Sequence, residues 1–332
     1  MNPESNSSAT TDVIAALMQA GGRRETPPED AYRTVLAAAE AALQAKLRRR
    51  RLFRIAGALA AAAALGSLAV ALHYATPRPA PSVIPVQVAK MDRFRGHVEL
   101  RESADEDWTA VVTSGADLRG GSMLRTGRNS GAGLAIDQLS LRVGEDSEIG
   151  LVDPTQIRLV RGTVYVDMEP GAANRLVVET ALGKAIHQGT QFQLEYDRSR
   201  VLLLVREGRV VFDRGTGPIV TAAGESLVIP SSGEVTRSPI APFDPSWQWT
   251  EALAPMPDIE GKRAAELLAW VARQTGRELQ YVSRAAERRA GTVILHGSLR
   301  QLTPQEALSV TLATTDLEAD VQEEGRILVS LQ

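Results

Sequence analysis

The sequence contains no cysteine. Disulfides, thiolate metal sites and thiol nucleophiles are therefore excluded. Aromatic residues make up only 4% of the 332, so any core must rest on Val, Leu, Ile and Ala. The four histidines, His73, His97, His187 and His296, are too scattered for ligand spacing, and no metal is expected. Gly261-Lys262 lacks the upstream glycine of a phosphate loop. Gly131-Ala132-Gly133 lacks a third glycine and sits among strands, which argues against a dinucleotide site. No Gly-x-Ser-x-Gly is present. Neither a cofactor nor an ordinary enzyme is indicated. The net charge of −3 and the absence of a basic stripe argue against direct nucleic-acid binding.

Long apolar runs are also scarce, with one exception. From Ile55 to Leu72 eighteen residues pass without a charge. At ~1.5 Å per residue this is about 27 Å of helix, close to the ~30 Å hydrocarbon core of a bilayer. The alternative is a buried Ala-rich soluble helix, and the flanks decide against it. Lys46, Arg48, Arg49, Arg50, Arg51 and Arg54 precede the run, whereas Arg78 is the only cation between it and Lys90. Cations stay on the cytoplasmic side of an anionic inner leaflet. The expectation is a single-pass inner-membrane protein with its N-terminus in the cytoplasm and its C-terminus in the periplasm. About fifty residues before the run argue against a cleaved signal peptide. The part beyond residue 74 carries 34 acidic against 28 basic residues, and so is mildly acidic.

Periodicity divides the chain further. Residues 1–51 form a cytoplasmic helical segment and 52–74 a transmembrane helix. A short helix is expected from Val13 to Met18. A second, from about Glu29, continues into the membrane. Its apolar stripe of Val35, Leu36, Ala39, Ala42, Leu43 and Leu47 either packs on the first helix or docks a cytoplasmic protein. Residues 75–91 are a proline-rich linker. Over 92–238 the period changes to two, as in Leu139, Leu141, Val143; Val164, Val166, Met168; Phe192, Leu194, Tyr196; and Val201, Leu203, Val205. Many short strands with regular turns predict an all-β sandwich or roll. Residues 239–255 are a second linker, with Trp247 and Trp249. Residues 256–332 predict a small α+β domain of order β-α-β-β-α-β-β. Thr303-Pro304-Gln305-Glu306 in it is a capping box with proline at the first helical position. The fold class is thus multi-domain: an N-terminal helix continuing into one membrane span, an all-β periplasmic domain and a small C-terminal α+β domain.

An ordered set of residues carries a resemblance. It runs Gly96-His97-Val98, Trp108, Gly115, Leu118, Gly121, Leu124-Arg125-Thr126, Gly162-Thr163-Val164, Val178-Glu179-Thr180, Gly189-Thr190-Gln191-Phe192, Val205 to Val210 and Ala223-Gly224-Glu225. It resembles the periplasmic domain of FecR-type transmembrane anti-sigma regulators. The C-terminal piece is similar to the short module at the N-terminus of secretins and TonB-dependent receptors, through Ala265, Leu268, Gly276, Tyr281, Gly297, Thr303-Pro304, Ala307-Leu308 and Leu317. The resemblance implies two partners: an extracytoplasmic-function sigma factor inside, and a TonB-dependent outer-membrane receptor, often one for iron chelates, outside. Release of the sigma factor through stepwise proteolysis is implied too. Val35, Leu36, Ala39 and Leu43 are then the candidate sigma-binding residues. Trp247, Trp249 and Trp270 are the candidate receptor contacts. The sequence departs from the family pattern in having no tryptophan before Trp108. The alternative reading is an anchored envelope interaction protein without sigma-factor control.

Gly189-Thr190 is the one candidate reactive bond. A threonine hydroxyl can attack the preceding carbonyl where the backbone is strained, and glycine permits the unusual φ. The resemblance implies the same, since some members of that family are cut at such a Gly-Thr. The plainer alternative is a turn leading into the strand 191–196.

Overall fold

The computed structural model describes residues 87–168 and 175–332, with residues 15, 16, 18, 19 and 21 near the N-terminus. Residues 15, 16, 18 and 19 are helical. The expected span at 52–74, its basic flank and the stripe with Val35, Leu36, Ala39 and Leu43 lie outside the described residues. Among the described residues no helix is long and apolar enough to cross a membrane. The chain divides into two units, 1–82 and 83–332, and every strand among the described residues belongs to the second.

Fifteen strands hydrogen-bond into one continuous sheet. The first eight are β1 (Gln87–Arg95), β2 (Val98–Arg101), β3 (Thr109–Ala110), β4 (Asp117–Arg119), β5 (Met123–Thr126), β6 (Gly131–Ile136), β7 (Leu139–Val143) and β8 (Glu148–Asp153). The rest are β9 (Gln156–Met168), β10 (Val177–Thr180), β11 (Gly183–Tyr196), β12 (Arg200–Asp213), β13 (Pro218–Ala222), β14 (Glu225–Pro230) and β15 (Thr236–Pro239). Three long strands, β9, β11 and β12, make it a roll rather than a flat sheet. The first half of β9 pairs with β8 and β10, its second half with β7 and β11. β12 likewise pairs first with β14 and then with β13. Each long strand thus passes from one layer to the next, and a single apolar core fills the space between.

The period-two alternation maps onto that core. Leu139, Leu141, Val143, Val164, Val166, Met168, Phe192, Leu194, Tyr196, Val201, Leu203 and Val205 are all buried in it. In a sheet with one wet face the intervening residues would be exposed. Here several are not, because the chain after β15 covers them.

That chain begins with a 3-10 turn at Pro245–Trp247, capped by Asp244, and the short helix α1 (Gln248–Glu251). Leu253 then lies on β6. A Cβ on Gly133 would stand 2.8 Å from the Leu253 carbonyl oxygen, so only glycine admits this approach. The paired glycines of Gly131-Ala132-Gly133 are a bed for this segment. The C-terminal module follows, with α2 (Ala264–Thr275), β16 (Glu278–Tyr281), α3 (Arg284–Ala290), α4 (Pro304–Leu312), β17 (Leu317–Val321) and β18 (Arg326–Leu331). Its sheet order is β16-β18-β17. A separate apolar cluster, including Leu267, Leu268, Val271, Leu308 and Ile327, is its core.

The module departs from its predicted order in three places. No strand precedes α2. Val293 to His296 is not a strand: only the isolated bridge between Arg263 and Ile294 forms, because Leu295 pairs only with the turn at Gly261 and Lys262. Residues 284–290 form an unanticipated helix, in which the Ser283 side chain accepts from the Ala286 amide and alanines supply propensity.

Candidate functional site

The outer face of the roll carries two cross-strand rows. One runs Arg142, Tyr165, Gln193, Leu204 over β7, β9, β11 and β12. The next runs Ser140, Asp167, Gln191, with Glu207 completing it on β12. Strand alternation places them all opposite the apolar core. Arg142, Tyr165, Asp167, Gln191, Gln193, Leu204 and Arg206 are nonetheless buried.

Asp167 is the hub. Its Oδ1 accepts from Arg273 (2.7 Å) and from the Gln191 amide (3.0 Å). Its Oδ2 accepts from Arg142 (3.3 Å) and from the Gln274 amide (3.2 Å). Arg142 also donates to the Thr250 carbonyl (3.0 Å) and to the Gln274 side-chain oxygen. Arg273 donates further to Glu207 (2.6 Å) and to the Met168 carbonyl (2.9 Å). Arg206 donates to the Gln274 carbonyl (3.0 Å) and lies 4.7 Å over the Trp247 ring. The last turn of α2 thereby plugs into the β domain by charge, not by an apolar patch.

The electrostatics follow from the burial. Burial alone would raise the Asp167 carboxyl, but Arg142 and Arg273, helped by the Gln191 and Gln274 amides, hold it below the usual carboxylate range. Burial pulls the Arg142 guanidinium down, opposed by Tyr165 and Asp167. Glu251, on α1, is pushed up by burial despite Arg206, Arg277 and Arg142 nearby.

Gly189-Thr190 lies beside this network. It is not a turn before a strand but an irregularity inside β11. The pairing with β12 slips between Gln188, opposite Arg209, and Gln191, opposite Glu207, so three steps face two. This is a bulge. Gly189 has φ +58°, in the left-handed region that a side chain disfavours. The Thr190 hydroxyl is wholly buried and has no hydrogen-bond partner among the described residues. An unsatisfied buried hydroxyl costs about 1–3 kcal/mol and calls for an explanation. Close in sequence, the His187 ring is buried, and its Nε2 accepts from the Leu176 amide at 2.8 Å. Burial, then the nearby Arg175 charge, lowers its pKa to about 4, so the ring is neutral.

The tryptophan candidates fall in different places. Trp247 is 1% exposed, so its assignment as a receptor contact is corrected: its indole donates to the Ala241 carbonyl and its faces meet Arg206 and Tyr165. Trp249 is half-buried and donates to Gln193 at 2.9 Å. Trp270 is half-buried against the core of the module. No group of three or more His, Asp or Glu among the described residues is placed to hold a metal. Sequence reasoning missed Arg142, Asp167, Gln191, Arg273 and Gln274. The available signal was the apolar run Val201 to Val205, whose Leu202 and Leu204 break the alternation and mark strands covered on both faces.

Residues 122–211 match the sequence profile of a family described as FecR protein. The matched stretch runs from β5 into β12 and contains Asp167 and the Gly189 bulge. The resemblance to FecR-type proteins is thus supported over residues 122–211 of the β domain. Two crystal structures of a protein assigned provisionally as an anti-sigma factor, from Parabacteroides distasonis ATCC 8503, are similar at 11% identity and TM-score 0.35. They cover 63% of this chain and 99% and 98% of their own. No curated protein matches the chain.

Proposed function

We propose that the chain is a single-pass inner-membrane regulator of an extracytoplasmic-function sigma factor. In this reading it responds in the periplasm to a TonB-dependent outer-membrane receptor, with iron chelates as the ligand class the family resemblance implies. The FecR match at 122–211 is the observation that carries the reading. The charge asymmetry about Ile55 to Leu72 supports the orientation. The receptor would meet the C-terminal module, where β17 is an edge of the three-stranded sheet and can accept a partner strand. Val321, on β17 itself, is exposed. The sigma factor would meet Val35, Leu36, Ala39 and Leu43. Sigma factors should co-purify with the full-length chain from its own cells and be lost with Leu36→Asp plus Leu43→Asp. Co-purification of none, where a FecR-type control captures its own, would return the protein to the envelope-anchor reading. The absence of tryptophan before Trp108 is what favours that alternative.

The reading extends to self-processing at Gly189-Thr190. The Thr190 hydroxyl attacks the Gly189 carbonyl carbon, and the Thr190 nitrogen leaves with the proton. An ester links the two halves. Water then cleaves it to a Gly189 carboxylate and a free Thr190 amine. The positive φ and the unpartnered buried hydroxyl support this step. The purified chain should run as fragments 1–189 and 190–332, rejoined by Thr190→Ala. A single intact band from the unmutated chain would sink it.

A further inference from the structure

We propose that the C-terminal module clamps the Gly189-Thr190 bulge, with Arg273 spanning the strand that carries it. Gln191, the residue after Thr190, pairs with Asp167 of β9 on one side and with Glu207 of β12 on the other. Arg273 bonds both: Asp167 at 2.7 Å and Glu207 at 2.6 Å. Its guanidinium therefore bridges over the β11 strand at Gln191, whose own amide is tied to Asp167. On the other side of the bulge the strand is fixed by pairing of His187 with Val210 and Gln188 with Arg209. Between these anchors stand Gly189, in a left-handed conformation, and Thr190, whose hydroxyl finds no partner among the described residues. The Gln191 anchor is the one that depends on another part of the chain.

Lifting α2 would remove Arg273 and Gln274 together. Asp167 would keep only Arg142 and Gln191, and Glu207 would lose its Arg273 partner. A carboxylate stripped of half its donors in a buried site does not hold its place. The row Asp167–Gln191–Glu207 would loosen, and the bulge next to it would gain freedom. A partner that pulls on the module thus reaches the Gly189-Thr190 bond without touching it. The consequence for cleavage rests on the self-processing reading above; the mechanical coupling does not.

The test is hydrogen exchange on the full-length chain carrying Thr190→Ala, so that every molecule is intact. Arg273→Ala should make the amides of residues 186–193 exchange about tenfold faster, while Leu139–Val143 and Val201–Val205 keep their protection. Unchanged exchange at 186–193, or a rise shared by all the strands, overturns the clamp. Should Arg273→Ala fail to fold, Glu207→Gln removes one anchor and leaves the other. It must give the same localised rise, smaller in size, and its absence overturns the clamp equally. In chains that retain Thr190, Arg273→Ala should change the rate at which fragments appear. A chain that never fragments removes the self-processing reading and leaves the exchange result to decide the clamp.

Discussion

The interior of the β domain and its junction with the C-terminal module are both buried, yet they are held by opposite physics. The interior is one apolar cluster of Val, Leu, Ile and Phe from nearly every long strand. Such burial is non-directional, and many small errors can be absorbed. The junction is directional: Asp167, Arg142, Arg273, Gln274, Gln191 and Glu207 are joined by hydrogen bonds and ion pairs, with the Thr250 and Met168 carbonyls taking further bonds. Desolvation costs much of what such charges gain, so their net stabilisation is small, while losing one partner is expensive. The physical lesson is plain. A rigid body is built from grease, and a joint that must select one docked geometry and still come apart is built from charge.

Four measurements would sharpen or break that contrast. The largest effect belongs to the interior. Phe192→Ala should cost about 3–5 kcal/mol in urea unfolding, because a wholly buried ring leaves a cavity the roll cannot close. A loss under about 1 kcal/mol would mean the interior is loosely packed. Next comes the junction. Asp167→Asn should cost about 3 kcal/mol, because Arg142 stays buried without its carboxylate. The loss should be seen first as release of α2 in hydrogen exchange. A substitution that left α2 fully protected would show the junction to be held by something other than Asp167.

The third separates the two regions by pH. The Asp167 carboxyl sits below its unfolded value, so its contribution is present above the unfolded pKa and is lost only as pH falls through the folded one. The junction should therefore survive at about pH 5. His187 behaves differently. Its folded pKa of about 4 lies below the unfolded value near 6.5, so between these the unfolded chain takes up a proton that the fold refuses. Stability should fall by about 2 kcal/mol from about pH 7.5 to 5, and His187→Asn should flatten the fall. An unaltered slope in that variant would place the pH sensitivity elsewhere.

Legibility in the sequence followed the same division. The inward residues announce themselves by alternation, and Leu139, Leu141, Val164, Val166, Phe192 and Leu194 are where that period puts them. Thr303-Pro304-Gln305-Glu306 was equally readable, since a capping box is local: Thr303 and Glu306 bond each other's backbone as expected. Of the junction, the run Val201 to Val205 showed only that a second face is covered, not by what. Arg142 and Asp167 stand at positions that a single sheet would expose, and only the distant Arg273 and Gln274 explain their burial. Contacts more than 100 residues apart leave no local pattern. The Gly189 bulge lies between these cases. Glycine before threonine signalled an unusual φ, but not that it falls inside a strand between two fixed neighbours.

The smallest effect tests whether the joint is as weak as its chemistry implies. Thr303 caps α4, accepting from the Glu306 amide at 3.3 Å, and its hydrogen bonds to Glu306 stay within the module. Thr303→Ala should cost the module about 1 kcal/mol. If the junction adds little net stability, that loss stays in the module. Amides of α2 and α4 should then exchange several-fold faster, while β7, β9 and β12 keep their protection. A junction of large net stability would spread the same loss over both, because module and roll would open only together. Uniform acceleration across Leu139–Val143 and Ala307–Leu312 would therefore contradict a separable joint, and with it the idea that a partner could lift the module off the bulge at modest cost.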